Sequence, residues 1–166
     1  MEIIDLYKFR QNANDNGVCD EYAKLWDKAL SKVQLMDLAL SVAGSDYLCD
    51  AIAKGWGVSP EYICSKFTHY INGRYEYTDE SGYTSMMYCM FDGDVSCTST
   101  LLTLINCDMT IHIPQYHMCQ VNVAGNCKID FTGEGSVVLF AYGNTDNITI
   151  SSEEKIKLKV KPKERD

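Results

Sequence analysis

MTIHIPQYHMCQVNVAGNCKIDF, residues 109–131, carries the pattern on which the fold turns. Met109, Ile111 and Ile113 alternate with polar residues, as do Cys119, Val121 and Val123, and then Cys127, Ile129 and Phe131. A period of two sends successive side chains to opposite faces, so each run reads as a strand with one buried face. The pattern continues through Val137, Leu139 and Ala141, then Ile148 and Ile150, then Ile156, Leu158 and Val160. Gly125-Asn126, Gly133-Glu134-Gly135 and Gly143-Asn144 supply the turns. Six short strands at intervals of 8 to 11 residues predict a compact all-β unit. Alternate strands starting near 109, 127 and 148 lie 18 and 21 residues apart, which allows a short β-solenoid with two strands per coil. An antiparallel sandwich or jelly roll fits the same pattern and, as the commoner fold, is slightly favoured.

Upstream of residue 73 the period is helical. Tyr22, Leu25, Trp26 and Ala29 share one face of a helix over 21–30. Ser31 caps a second helix carrying Val33, Met36, Leu40 and Ala43, and Gly44 ends it. A third begins at Ser45 or Asp46 with Leu48, Ile52 and Ala53 inward, and a fourth runs from Pro60 to Ile71, stopped by Asn72-Gly73. IAKGWGVSPEYICSKF, residues 52–67, has the grammar of a helix-turn-helix. Ala53 allows close helix approach, Gly57 makes the turn, Ser59 caps with Pro60 in the first turn, and Val58 and Ile63 pack inward. The expected fold class is α+β: a helical unit over 1–73, with the helix-turn-helix-like segment at 48–71, then a β-rich unit over 74–166.

Apolar residues make up 46% of the 166-residue chain and charged residues 23%, which excludes disorder. Apolar runs are only a few residues long, too short to span a membrane as a helix. The opening residues include Glu2 and Asp5 and do not read as a secretory signal, so a cytoplasmic protein is expected. The eight cysteines form no C-x-x-C pair, and reduced, buried thiols are the expectation. Residues 1–154 carry 21 acidic and nine basic side chains, whereas residues 155–166 carry six basic and two acidic ones. The body therefore repels phosphate backbones and the tail attracts them. In that tail Lys157, Lys159, Lys161 and Lys163 alternate with apolar residues, as in an edge strand fenced against further pairing.

GVSPEYICSKFTHYINGRYE, residues 57–76, resembles the second helix-turn-helix of AraC-type regulators. The resemblance implies a recognition helix presenting Ser59, Glu61, Tyr62, Ser65, Lys66 and His69. That face offers one lysine and one histidine opposed by Glu61, without an Arg, Asn or Gln for base edges. GWGVSPEYI, YINGRY and GYTSMMYC resemble small uncharacterised proteins of gut Bacteroidales and their phages, which implies a phage or mobile-element accessory role.

The other candidates are sparse. His117 and Cys119 share one face of a predicted strand and can chelate together, but no second pair stands at a suitable offset, so no metal site is expected. Gly133-Glu134-Gly135 and Asp92-Gly93-Asp94 read as turns rather than phosphate or calcium loops. No nucleophile or acid–base set emerges, which predicts a non-enzyme without cofactor. The acidic residues of the helical half, Asp15, Asp20, Glu21, Asp27, Asp37, Asp46 and Asp50, are candidates for a surface that imitates nucleic-acid phosphates. The expected function is a non-enzymatic accessory protein that binds and modulates a protein partner, in one version by inhibiting a host defence nuclease. A DNA-binding regulator and a virion component are the alternatives.

Overall fold

The computed structural model describes residues 31–55 and 58–163. Three helices precede ten strands in this range: α1 (Lys32–Leu40), α2 (Val42–Lys54) and α3 (Pro60–Lys66), then β1 (Tyr77–Thr78), β2 (Thr84–Cys89), β3 (Asp92–Ser96), β4 (Leu101–Ile105), β5 (Asp108–Ile113), β6 (Met118–Ala124), β7 (Cys127–Gly133), β8 (Ser136–Tyr142), β9 (Ile148–Ser152) and β10 (Lys157–Lys163). The helix expected over 21–30 lies outside the described residues.

The β region is a solenoid of about four turns. Even-numbered strands stack side by side in one sheet, in the order β1-β2-β4-β6-β8-β10, and β3-β5-β7-β9 form the other. Every pairing is parallel except the short β1–β2 contact. From β2 onward the chain thus changes sheet after each strand and returns one step further along. The coil replaces the favoured antiparallel sandwich. Alternation and turn residues are common to both folds, whereas the recurring interval near 20 residues is the property of a coil alone.

Register turns the alternation into columns. Leu102, Val121 and Leu139 stack through one row of the larger sheet, and Leu104, Val123 and Ala141 through the next. Met109 with Ile129, and Ile111 with Phe131, face them from the smaller sheet. All ten are buried and make the solenoid interior. The free edge of the larger sheet is β10, paired only with β8, and Lys157, Lys159 and Lys161 are exposed along it. The lysine fence therefore stands at the end of the coil, where pairing with another chain would otherwise propagate.

The helices cover the outer face of the larger sheet. Leu35, Met36, Leu40, Leu48 and Ile63 pack with Met87, Cys89 and Ile105 in one buried cluster, so helices and sheet share a core. Ser31 closes a capping box with Gln34, as expected. Ser41, not Gly44, separates the next two helices. Its N–H donates to the Asp37 carbonyl at 3.1 Å and its Oγ accepts from Gly44 N–H at 3.2 Å, so one serine ends α1 and caps α2. The helix begun at Pro60 stops at Lys66 instead of Ile71, because the Thr68 hydroxyl binds the Cys64 carbonyl at 2.6 Å and a 3-10 turn follows. Among the described residues no helix is long and apolar enough to cross a membrane.

Gly143 marks how closely α2 approaches the coil. Its φ is +78°, and a Cβ placed there would meet Ala53 Cβ at 2.8 Å. We expect Gly143→Ala to cost about 1–3 kcal/mol through backbone strain and loss of helix docking, and Phe131→Ala about 3–5 kcal/mol through an interior cavity. Denaturant midpoints check both values, and a Gly143→Ala protein as stable as the native chain would contradict the tight seam.

Candidate functional site

The residues proposed for recognition lie on one short helix, its N-cap and the 3-10 turn after it. Ser59 spends its side chain on the N-cap of α3, accepting from Tyr62 N–H at 3.1 Å. Tyr62 is half-buried with its ring edge-on to Phe67 at 6.2 Å, and the Ser65 hydroxyl donates to the Tyr62 carbonyl at 3.1 Å. Glu61 and His69 are exposed and Lys66 is half-buried. The helix carrying them spans seven residues and packs by Ile63 into the sheet-covering cluster.

Of the acidic candidates, Asp37 and Asp46 are half-buried and Asp50 is buried. Asp20, Glu21 and Asp27, with Asp15, lie outside the described residues. Asp50 is buried at 1% exposure. Asp37 accepts a hydrogen bond from Tyr75 Oη. Asp46 accepts from Tyr142 Oη at 2.6 Å and stands 3.7 Å from Lys163 Nζ. Asp46 thus ties α2 to the sheet and Asp37 ties α1 to the segment before β1, and among the described residues the three carboxylates form no shared exposed surface. Burial is the main cause that pushes the Tyr75 hydroxyl up to about 12, and its bond to Asp37 adds to the shift.

Exposed carboxylates on neighbouring strands do occur together on the smaller sheet. Its outer face is a grid: Asp92, Asp108, Lys128 and Thr149 form one row, Asp94, Thr110, Asp130 and Ser151 the next, and Ser96, His112 and Thr132 the third. Asp92, Asp94 and Asp108 are exposed, and Asp130 accepts from the Ser151 hydroxyl at 2.9 Å. Neighbouring rungs stand about 4.8 Å apart. Four carboxylates against one lysine make this face negative, and the main-chain ladder keeps it rigid.

A second feature sits at one corner of the coil. Cys97, just after β3, and Cys119, in β6, turn inward with their sulfurs 3.5 Å apart. His117, in the turn before β6, brings Nε2 to 3.8 Å from Cys97 Sγ and 2.8 Å from the Ser99 carbonyl oxygen. A carbonyl only accepts, so Nε2 carries the proton in this arrangement. Ser99 in turn donates its hydroxyl to Glu76 Oε2 at 2.8 Å. Both thiols are buried and the imidazole is half-buried. Gly135 makes room for the turn: a Cβ there would come within 2.5 Å of the Pro114 oxygen and 2.7 Å of the His117 oxygen.

The two thiols are chemically unequal. A hydrogen bond from Cys119 pulls Cys97 down to about 7 against the opposing push of burial, and the His117 imidazole adds to the pull. Cys119, which gives that hydrogen bond and is itself buried, is held far above the ordinary thiol range. Burial raises Cys107 to about 12 and also raises Cys127, so the other coil corner holds inert thiols. All seven described cysteines are free, and all but Cys64 are buried. Sequence reading reached His117 and Cys119 but missed Cys97. The available signal was the interval of 22 residues between the cysteines, close to the coil period and echoed by Cys107 and Cys127.

Comparison with protein-family models, curated proteins and solved structures finds no match.

Lowering a thiol pKa on folding stabilises the native state only when the thiol ionises. A fall from 9.0 to about 7 gives a contribution fully present above pH 9 and lost as pH falls through 7. The stability gap between native protein and Cys97→Ser is therefore expected to widen by on the order of 1–2 kcal/mol on raising pH across that window. Urea titrations at several pH values measure the gap, and a constant or narrowing one contradicts the assignment.

Proposed function

We propose that this chain is a non-enzymatic binding protein whose smaller sheet presents a rigid acidic face to a basic surface on a protein partner. The arrangement of Asp92, Asp94, Asp108 and Asp130 on that outer face carries the reading, since the other sheet's outer face is occupied by helices. Three of these carboxylates are exposed, and no large apolar side chain interrupts the grid. A polar, charge-complementary interface suits encounter and specificity more than permanent assembly. Carboxylates at ladder spacing on an unyielding surface suit a basic groove built for nucleic acid. An inhibitor of a host defence nuclease is the specific form of this reading. The resemblance of GWGVSPEYI, YINGRY and GYTSMMYC to small uncharacterised proteins of gut Bacteroidales and their phages supports a phage or mobile-element accessory role.

The helix-turn-helix alternative has less support. Ser59 is engaged as a cap, Tyr62 packs on Phe67, and the segment hands its apolar side to the sheet. Phosphate contacts need lysine and arginine, whereas a net charge of −8 opposes the approach of DNA.

Charge reversal tests the reading. The triple variant Asp92→Lys, Asp94→Lys, Asp108→Lys is expected to lose partners that the native protein captures from host lysate. Those partners should also elute from native protein with heparin and with raised salt. Capture of the same proteins by both forms, with no salt or heparin sensitivity, rejects the acidic face as the binding surface.

A further inference from the structure

We propose that Cys97, His117 and Cys119 bind a zinc-class divalent ion, leaving a fourth coordination position beside the Ser99 carbonyl oxygen. The inference stands apart from the acidic face, because it uses the corner of the coil interior and not its outer surface. Tetrahedral zinc with bonds of about 2.3 Å to sulfur and 2.0–2.1 Å to nitrogen requires edges of roughly 3.8 Å between sulfurs and 3.6 Å between sulfur and nitrogen. The Cys97–Cys119 and Cys97–His117 separations are 3.5 and 3.8 Å, and all three donor atoms lie within 4.8 Å of one another. The two edges at Cys97 are thus within a few tenths of an ångström of those of a ligand triangle before any metal arrives, and the third is held under 4.8 Å. The Ser99 carbonyl oxygen, 3.5 Å from Cys97 Sγ and 2.8 Å from His117 Nε2, borders the open fourth vertex.

Donor chemistry selects the ion. Two sulfurs and an imidazole suit zinc and its soft relatives, whereas calcium and magnesium take oxygen ligands. Two thiolates, one neutral imidazole and a divalent cation sum to zero charge, which a buried corner tolerates. Binding releases the Cys119 proton and whatever part of the Cys97 proton remains. The imidazole changes tautomer, its proton passing from Nε2 to Nδ1, so that the ring stays neutral and exchanges the Ser99 hydrogen bond for a metal bond. The half-buried His117 beside Tyr116, which is 91% exposed, gives the ion a route inward. A bound ion ties the end of β3 to the start of β6 and fixes the intervening turn.

The test uses the reduced full chain with zinc removed, titrated with Co2+ as a spectroscopic probe and with Zn2+ against a chromophoric chelator. The expected result is one tightly bound ion per chain, with tetrahedral cobalt bands and thiolate-to-cobalt charge transfer. Cys97→Ser and Cys119→Ser should abolish stoichiometric binding and His117→Gln weaken it at least about tenfold, whereas Cys107→Ser should leave binding unchanged. A readout without substitution guards against variants that misfold: in the native chain Zn2+ should protect Cys97 and Cys119, and no other cysteine, from alkylation mapped by peptide mass. The melting temperature should rise with Zn2+ and return with chelator. Octahedral cobalt spectra, binding that survives loss of both cysteines, or no binding by reduced protein that forms a Cys97–Cys119 disulfide on mild oxidation would each overturn the proposal. The last outcome would make the corner a redox pair.

Discussion

Parallel main-chain pairing between segments about one coil apart is the constraint from which the rest of the molecule follows. From β2 to β8 each strand hydrogen-bonds to the strand two places later in the chain, within its own sheet. Once the ladder holds that offset, the alternation within each strand is copied from coil to coil, and apolar residues stack in columns. Leu102 over Val121 over Leu139 is one such column. A register slip of one residue would turn every column inside out. Burial of those side chains is therefore what keeps the ladder in place, and the ladder is what lets short strands build a continuous core.

Polar residues fix how the helical layer sits on this coil. Ser45 in α2 shares a 2.5 Å hydrogen bond with Thr103 and accepts one from Asn122 at 3.0 Å. Gln120 donates to Asn122 at 3.1 Å, so the side chains of these four residues form one hydrogen-bonded chain along the seam. All but Gln120 are fully buried, and an unpaired group there would carry a desolvation penalty of roughly 1–3 kcal/mol. Apolar contact alone would let α2 slide along the sheet. These hydrogen bonds, with Tyr142 to Asp46 at the adjoining row, set one position.

The same repetition gathers chemistry that the chain keeps far apart. Cys97 follows a strand of the smaller sheet and Cys119 lies in the larger one, yet both turn inward at a single corner. The glycine at 135 lets the Pro114–His117 turn settle against the coil, and that turn swings the imidazole toward the sulfurs. On the outside, rungs of the ladder set Asp92 beside Asp108 and hold Asp94 and Asp130 two strands apart. The two faces of each strand thus serve separate ends, packing within and charge without.

Much of this architecture was written in the chain. Alternation located the strands from Leu101 onward, Ser31, Ser59 and Pro60 announced helix starts, and the lysine comb of residues 157–163 marked an edge. These features depend on neighbours a few residues away, which local sequence reports. Parallel versus antiparallel pairing was not so written, because both produce the same alternation. Nor was the inward turn of Asp37, Asp46 and Asp50, whose partners Tyr75, Tyr142 and the buried seam are brought near only by the docking of helices on the sheet. Cys97 meets Cys119 for the same reason: twenty-two residues of chain close into one coil, and only the register of that coil says which side chains share its corner.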